Sequence, residues 1–442
     1  MAEAQPEFSY GNQFRSPDTR SGSRNATIAQ YIEQLRTQLL PRSDAERKIF
    51  GKRLLFTLED SLTSREVVDT RLLVEYAVML STVMTNLGYA EEYLKTIDRV
   101  LQLSTTLGYL RSPLFLAKYY YLNAFTIESK ECDIALQSAL DTAANDKEQI
   151  EAMIAKAHYY NNNSHYPESI QLFQECLEFV QGKPDLQSFE AESIIWIGAN
   201  YYTLLDYPTA TEYLNKGNEL ALAIHDLRQQ STALHYLGRV ALGEGRTKDC
   251  MHYYLESQAC LERTGPQDPH ATAFFHLRMA QLLLSSGLTQ QAEDHLALSE
   301  QSFVAEQSHG SALMQTELEW AQLEARRGQV RQAELRIEKT IVEVRRSRYA
   351  RGELLCLVVL FWIQFKHLRW HRALYTFFRA LRTWKDGEIG KGGGLQLFWK
   401  YLSSVLLYPI KRLLGKPHAV LMAGSAGERL ESCMCPRHKP LA

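Results

Sequence analysis

Strand signals are missing from this chain: no short run alternates apolar and polar residues between turn clusters, which excludes a sheet as its core. Cysteine is sparse. The seven cysteines, Cys132, Cys176, Cys250, Cys260, Cys356, Cys433 and Cys435, are odd in number and mostly scattered on helical faces, which fits reduced thiols rather than a disulfide framework. The start carries no basic and apolar leader, so no secretory signal is expected, and the chain is expected to remain in the cytosol. There the sequons at Asn25 and Asn162 would carry no glycan. Net charge is almost lacking too, at −2.

Catalytic and metal signatures are equally scarce. The Gly-rich stretch 386–394 superficially resembles a phosphate loop, but Lys391 is followed by Gly392 rather than Ser or Thr, and no strand precedes it. Residues 424–427 lack the first glycine of a nucleophile elbow. Both stretches read as flexible linker. Cys433, Cys435 and His438 supply three ligands where a structural zinc takes four. His367 and His371 stand one helical turn apart but lack the Glu of a zinc-protease helix. No cofactor, metal or enzymatic activity is expected.

What the chain does have is a repeat. Ile197, Gly198, Tyr201, Leu205, Tyr207, Ala210, Leu214 and Gly217 form one copy, and Leu237, Gly238, Ala241, Gly245, Thr247, Cys250, Tyr254 and Ser257 restate it at identical offsets. A third copy starts at Met279 and Ala280 and a fourth at Trp320 and Ala321, the latter placing Glu324 where its counterparts are Tyr201, Ala241 and Leu283. Earlier copies fit at Ala157, Tyr160, Tyr166 and Phe173, and at Leu80, Gly88, Tyr93 and Ile97; between Ser104 and Asn145 the fit is loose. A last hairpin carries Phe361, Ala373, Phe377 and Ala380 at the same offsets. The physical basis is close packing of two antiparallel helices: Gly198 lets Ala210 approach, and a turn over 204–208 or 243–247 joins the pair. One hairpin cannot bury its own apolar stripe, so its neighbours stack on it.

These positions resemble the tetratricopeptide (TPR) signature, in which a small residue is followed by an aromatic or aliphatic residue, a Gly-rich turn and an alanine. The copies here lie about 41 residues apart, against a usual period of 34. Such extended repeats resemble those of kinesin light chains and of the sensor arms of bacterial signal-transduction ATPases. The resemblance covers roughly residues 70–382. It implies an all-α, right-handed superhelical solenoid of stacked antiparallel hairpins. The expected layout is a disordered tail over 1–25, about eight hairpins over 26–385, a Gly-rich linker over 386–394, an amphipathic apolar and basic helix over 395–416 that caps the end of the solenoid or contacts a membrane, and a flexible tail over 417–442.

In the TPR family the first helix of each hairpin lines a concave groove. The corresponding offsets here give Ile154, His158, Asn161, Ile195, Tyr202, Thr232, His235, Arg239, Phe274, Gln281 and Gln322, a lining that suits an extended peptide or a helix. The Lys and Asn set by which chaperone-binding TPR domains clamp a terminal carboxylate is missing, so that ligand is not expected. The resemblance thus implies a non-enzymatic scaffold or adaptor for a partner protein or peptide. Its alternative is the regulatory or sensor module of a transcriptional regulator or signalling complex.

Charge is unevenly spread. Residues 1–320 hold 26 Lys and Arg against 42 Asp and Glu, and the remainder 23 against 9. The basic end has three readings. Its cations pair with the acidic body or with a second copy of the chain. Alternatively, Trp399, Lys400, Lys411, Arg412 and Lys416 on 395–416 meet an anionic membrane surface as a peripheral contact, because Lys400 within that stretch argues against spanning at about 3 kcal/mol. Nucleic acid is the third reading; against it, Trp362, Trp370, Trp384, Tyr375 and Phe377 mostly fall at hairpin packing positions.

Overall fold

A computed structural model describes residues 24–36, 44–63, 68–81, 90–125, 130–163, 165–263, 269–305, 311–346 and 350–386. The readings placed on the tail before residue 24 and on 387–442 lie outside the described residues. With them go Trp399, Lys400, Lys411, Arg412, Lys416, Cys433, Cys435 and His438. The chain forms two compact units, residues 1–121 and 122–442.

The first unit contains α1 (Arg24–Arg36), α2 (Asp44–Thr63), α3 (Thr70–Ser81), α4 (Ala90–Thr106) and most of α5 (Ser112–Phe125). Its core gathers Ile28, Leu54, Leu58, Leu73, Val74, Leu80, Ile97 and Val100 around two fully buried tyrosines, Tyr76 and Tyr93. A buried phenol must find an acceptor. The Tyr76 hydroxyl donates to the Leu54 carbonyl at 2.9 Å and that of Tyr93 to the Ala77 carbonyl at 2.5 Å, tying α3 to α2 and α4 to α3.

The second unit opens with α6 (Lys130–Asp141). Six hairpins follow: α7 (Asp146–Asn162) with α8 (Tyr166–Val180), α9 (Gln187–Thr203) with α10 (Tyr207–Ala223), and α11 (Leu227–Gly243) with α12 (Thr247–Arg263). They continue as α13 (Pro269–Ser285) with α14 (Thr289–Ala305), α15 (Ser311–Arg326) with α16 (Val330–Arg346), and α17 (Ala350–Lys366) with α18 (Trp370–Asp386). No strand occurs among the described residues. From α6 to α18 each helix packs on the next. In addition α7 touches α9, α9 touches α11, α13 touches α15 and α15 touches α17, so the odd-numbered helices share one wall of the stack.

Local sequence sets these helix ends. Asn145 caps α7, its Oδ1 accepting from the Glu148 amide at 3.0 Å while Glu148 accepts in return from the Ala144 amide at 2.9 Å. Asp206 and Asp226 cap α10 and α11 in the same way, and Pro208 sits in the first turn of α10. In five of the six hairpins the first helix ends on a residue of positive φ: Leu205 at 61°, Gly245 at 78°, Gly287 at 82°, Gly328 at 82° and Leu368 at 59°. In every case the following amide bonds back to the carbonyl five residues before it, as Arg246 does to Ala241 and Arg369 to Gln364. The repeat is therefore visible in the backbone itself.

Two of these five positions hold leucine in a conformation that suits glycine. Leu368 is 70% exposed, so it loses little packing when truncated. Leu368→Gly should raise stability by about 0.5–1 kcal/mol, the relief of left-handed strain exceeding the extra freedom given to the unfolded chain. Urea denaturation measures it, and a lowered midpoint would refute the strain argument.

Candidate functional site

The wall made by the odd-numbered helices carries a row of rings. Trp196 on α9 lies between His158 on α7, ring centroids 4.4 Å apart, and Tyr236 on α11, 5.6 Å apart, both edge to face. Tyr202 at the end of α9 meets Tyr236 at 6.3 Å. Amides and acids run alongside. His158 Nε2 is 3.2 Å from Glu192, Asn161 donates to Asn200 at 2.9 Å, and Asn200 is itself wholly buried, donating to Ser169 and to the Trp196 carbonyl. Across the next step Gln281 on α13 and Gln322 on α15 both donate to Glu319, each at 2.9 Å.

At the centre of this row stand two arginines. Arg239 on α11 stacks over Tyr202 at 4.6 Å and Tyr236 at 5.3 Å. Arg278 on α13 is only 5% exposed; its two Nη atoms donate to the side-chain oxygens of Gln281 at 2.8 Å and Gln315 at 2.9 Å, and its Nε has no partner. Neither guanidinium has a carboxylate within ion-pair distance among the described residues. Burial, and then the neighbouring Arg239 charge, lower the Arg278 pKa to about 10, which still leaves it charged at neutral pH. His235, beside them, is held well below its usual value by burial and by the Arg278 and Arg239 charges, and so is neutral. Burial raises Glu319, against the pull of the Gln281 hydrogen bond and of Arg278. Tyr254 completes the cluster, its ring 5.8 Å from His235 and its buried hydroxyl unpartnered.

No protein-family model matches the chain, and neither does any curated protein. Solved structures do. A Rap protein complexed with Competence and Sporulation Factor is similar over 83% of this chain and 97% of its own, at 12% identity and a TM-score of 0.56. Aspartyl phosphate phosphatase F from Bacillus subtilis covers 84% of this chain and 96% of its own, at 12% identity and a TM-score of 0.50. The Rap conjugation gene regulator of the plasmid pLS20, in complex with a Phr peptide, covers 82% and 96% at 11% identity, again with a TM-score of 0.50. The chain has the tetratricopeptide-type repeat fold.

In this TPR array the structure brings together many of the residues that sequence offsets selected. His158, Asn161, Tyr202, His235, Arg239, Phe274, Gln281 and Gln322 all take part in the wall or its contacts; Phe274 does so as the ring beneath Arg278, 5.8 Å away. Ile154 and Ile195, chosen on the same offsets, are buried in the packing instead. Missed altogether were Trp196, Tyr236, Arg278 and Glu319. Each lies two residues before the small residue of its repeat, and that shared register was the available signal.

Six arginines of the basic end form ion pairs among the described residues. Arg336 bridges Glu317 and Glu324, Arg327 holds Glu293, Arg345 holds Glu353, Arg369 and Arg372 both hold Glu334, and Arg379 holds Glu338. Arg331, Arg369, His371 and Arg372 line an open recess at the start of α18, but Glu334 already takes two of those charges. Among the described residues no helix is long and apolar enough to cross a membrane, and no group of three or more His, Cys, Asp or Glu could hold a metal ion.

Proposed function

We propose that the wall from α7 to α15 holds an extended peptide of a partner protein, and that the chain acts as a non-enzymatic interaction module. The observation that carries this reading is the row itself: rings, amides and guanidiniums preset by one another across consecutive repeats. An extended peptide offers backbone amides and carbonyls at a regular spacing, and such a row meets them with acceptors, donors and flat apolar faces. Rigid aromatic side chains lose little entropy on contact. That a TPR-type structure of the same fold is in complex with a Phr peptide supports the reading. A regulatory role, in which the peptide is a signal rather than part of a standing complex, is consistent with the same wall and with that structure's description as a conjugation gene regulator.

The test is a photo-crosslinking amino acid placed at Thr232, one helical turn before Tyr236 on α11, or at Leu255, exposed on α12, and offered a pool of random-sequence peptides. Crosslinked peptide should be at least about tenfold more abundant from Thr232, as expected for a preformed site over an ordinary surface. Equal yields from both positions would refute a groove on the odd-numbered helices.

A further inference from the structure

Arg239 and Arg278 pose a problem that the rest of the wall does not. Burying a guanidinium without a counter-charge is costly, and natural proteins seldom leave one so. Buried Glu324 and Glu334, by contrast, each face an arginine. At the junction of α11 and α13, two neighbouring cations, an unpartnered Nε on a 95%-buried side chain and an unpartnered buried hydroxyl on Tyr254 all lack an anion. His235 adds no charge that would repel one. Glu319 is engaged by Gln281 and Gln322, and its hydrogen-bond link to Arg278 runs through Gln281.

The geometry points to a carboxylate subsite: we infer that Arg239 and Arg278 receive a carboxylate of the bound peptide, from its C-terminus or from an Asp or Glu side chain, at the step between α11 and α13. The inference rests on the peptide reading above. It replaces the expectation that no carboxylate would be recognised, because arginines here do what lysine and asparagine do in chaperone-binding domains. A carboxylate is the anion that every unmodified peptide carries, at its C-terminus. Two of the five N–H donors of Arg278 are committed to glutamine oxygens, so three remain beside the planar Arg239 fork, and a planar carboxylate pairs side-on with such donors. Gln281 and Gln315 fix the Arg278 plane in advance, so little entropy is lost on binding.

Five synthetic random hexapeptide pools test it by affinity selection and mass spectrometry: free acid and C-terminal amide, each with and without Asp and Glu, and a phosphoserine-containing amide pool. Full-length wild type, Arg239→Met and Arg278→Met are compared, with helical circular dichroism as the folding control. Arg239→Met, on the less buried of the two arginines, carries the test if Arg278→Met does not fold. Wild type should enrich acid-bearing peptides about tenfold or more, and both variants should lose that preference while still retaining neutral peptides. Loss of enrichment on amidation alone would place the carboxylate at the terminus; loss on omitting Asp and Glu would place it on a side chain. Peptides retained without acid preference, a preference surviving in the variants, or a phosphoserine pool favoured over all others would overturn the carboxylate subsite and leave the peptide groove standing. Retention of no peptide at all would overturn both.

Discussion

Gly238→Ala should lower stability by about 2–3 kcal/mol, although alanine is the better helix former by about 1 kcal/mol. A Cβ at this position would lie 2.4 Å from Tyr254 Cε1 and 2.6 Å from its Cδ1, and the Tyr254 ring is 1% exposed with nowhere to retreat. The neighbouring repeats show the remedy. Ala280 is followed sixteen residues on by Leu296 and Ala321 by Ile337, all fully buried, so an alanine is accommodated where the facing side chain is aliphatic. The double variant Gly238→Ala with Tyr254→Leu should therefore recover most of the loss. Denaturant midpoints for the three proteins decide the matter; a single variant as stable as its parent would show that the two helices are not in contact as described. Because each repeat leans only on its neighbours, the loss should appear as early melting around α11 and α12 rather than a uniform shift.

Arg336→Met is expected to cost about 3–5 kcal/mol, the range for removing one partner of a buried ion pair. Glu324, 5% exposed, accepts from Arg336 Nε at 2.9 Å and from Gln332 at 3.2 Å, and its second oxygen already lacks a partner. Without Arg336 a carboxylate would be left in the hairpin core with one neutral donor. Replacing both, Arg336→Met with Glu324→Leu, removes the stranded charge and supplies the apolar residue that the register calls for. That double variant should match or exceed wild type. Were the single variant to lose less than about 1 kcal/mol, the charge would have to be reaching water, contrary to its burial.

How much was legible follows from what repetition encodes. Offsets between small residues and the apolar residues that cover them are imposed by helix packing, so Gly198, Gly238, Ala280 and Ala321 announced the hairpins and their turns. Glu324 stands out of place in that pattern, and the structure gives it Arg336, twelve residues on, as its partner. The site was harder to read. Offsets borrowed from the family located His235 and Arg239 but also Ile195, because the same position faces the wall in one repeat and the hairpin core in another. Arg278 sits among Leu277, Met279, Leu282 and Leu283 and looks like an intrusion into a packing stripe; only the alignment of Trp196, Tyr236, Arg278 and Glu319 in one register makes it part of a row. The weakest stretch of the pattern, between Ser104 and Asn145, is where the chain divides into its two units.

The carboxylates on α16 that hold the last helix have a physical consequence of their own. Glu334, with its side chain 8% exposed, receives Arg369 and Arg372, while Glu338, 44% exposed, receives Arg379. Electrolyte at 0.15 M damps interactions between exposed charges beyond about 8 Å, and damps sheltered ones far less. Added salt would slacken the Glu338 tether before the Glu334 one, so the final hairpin would loosen in two stages as ionic strength rises.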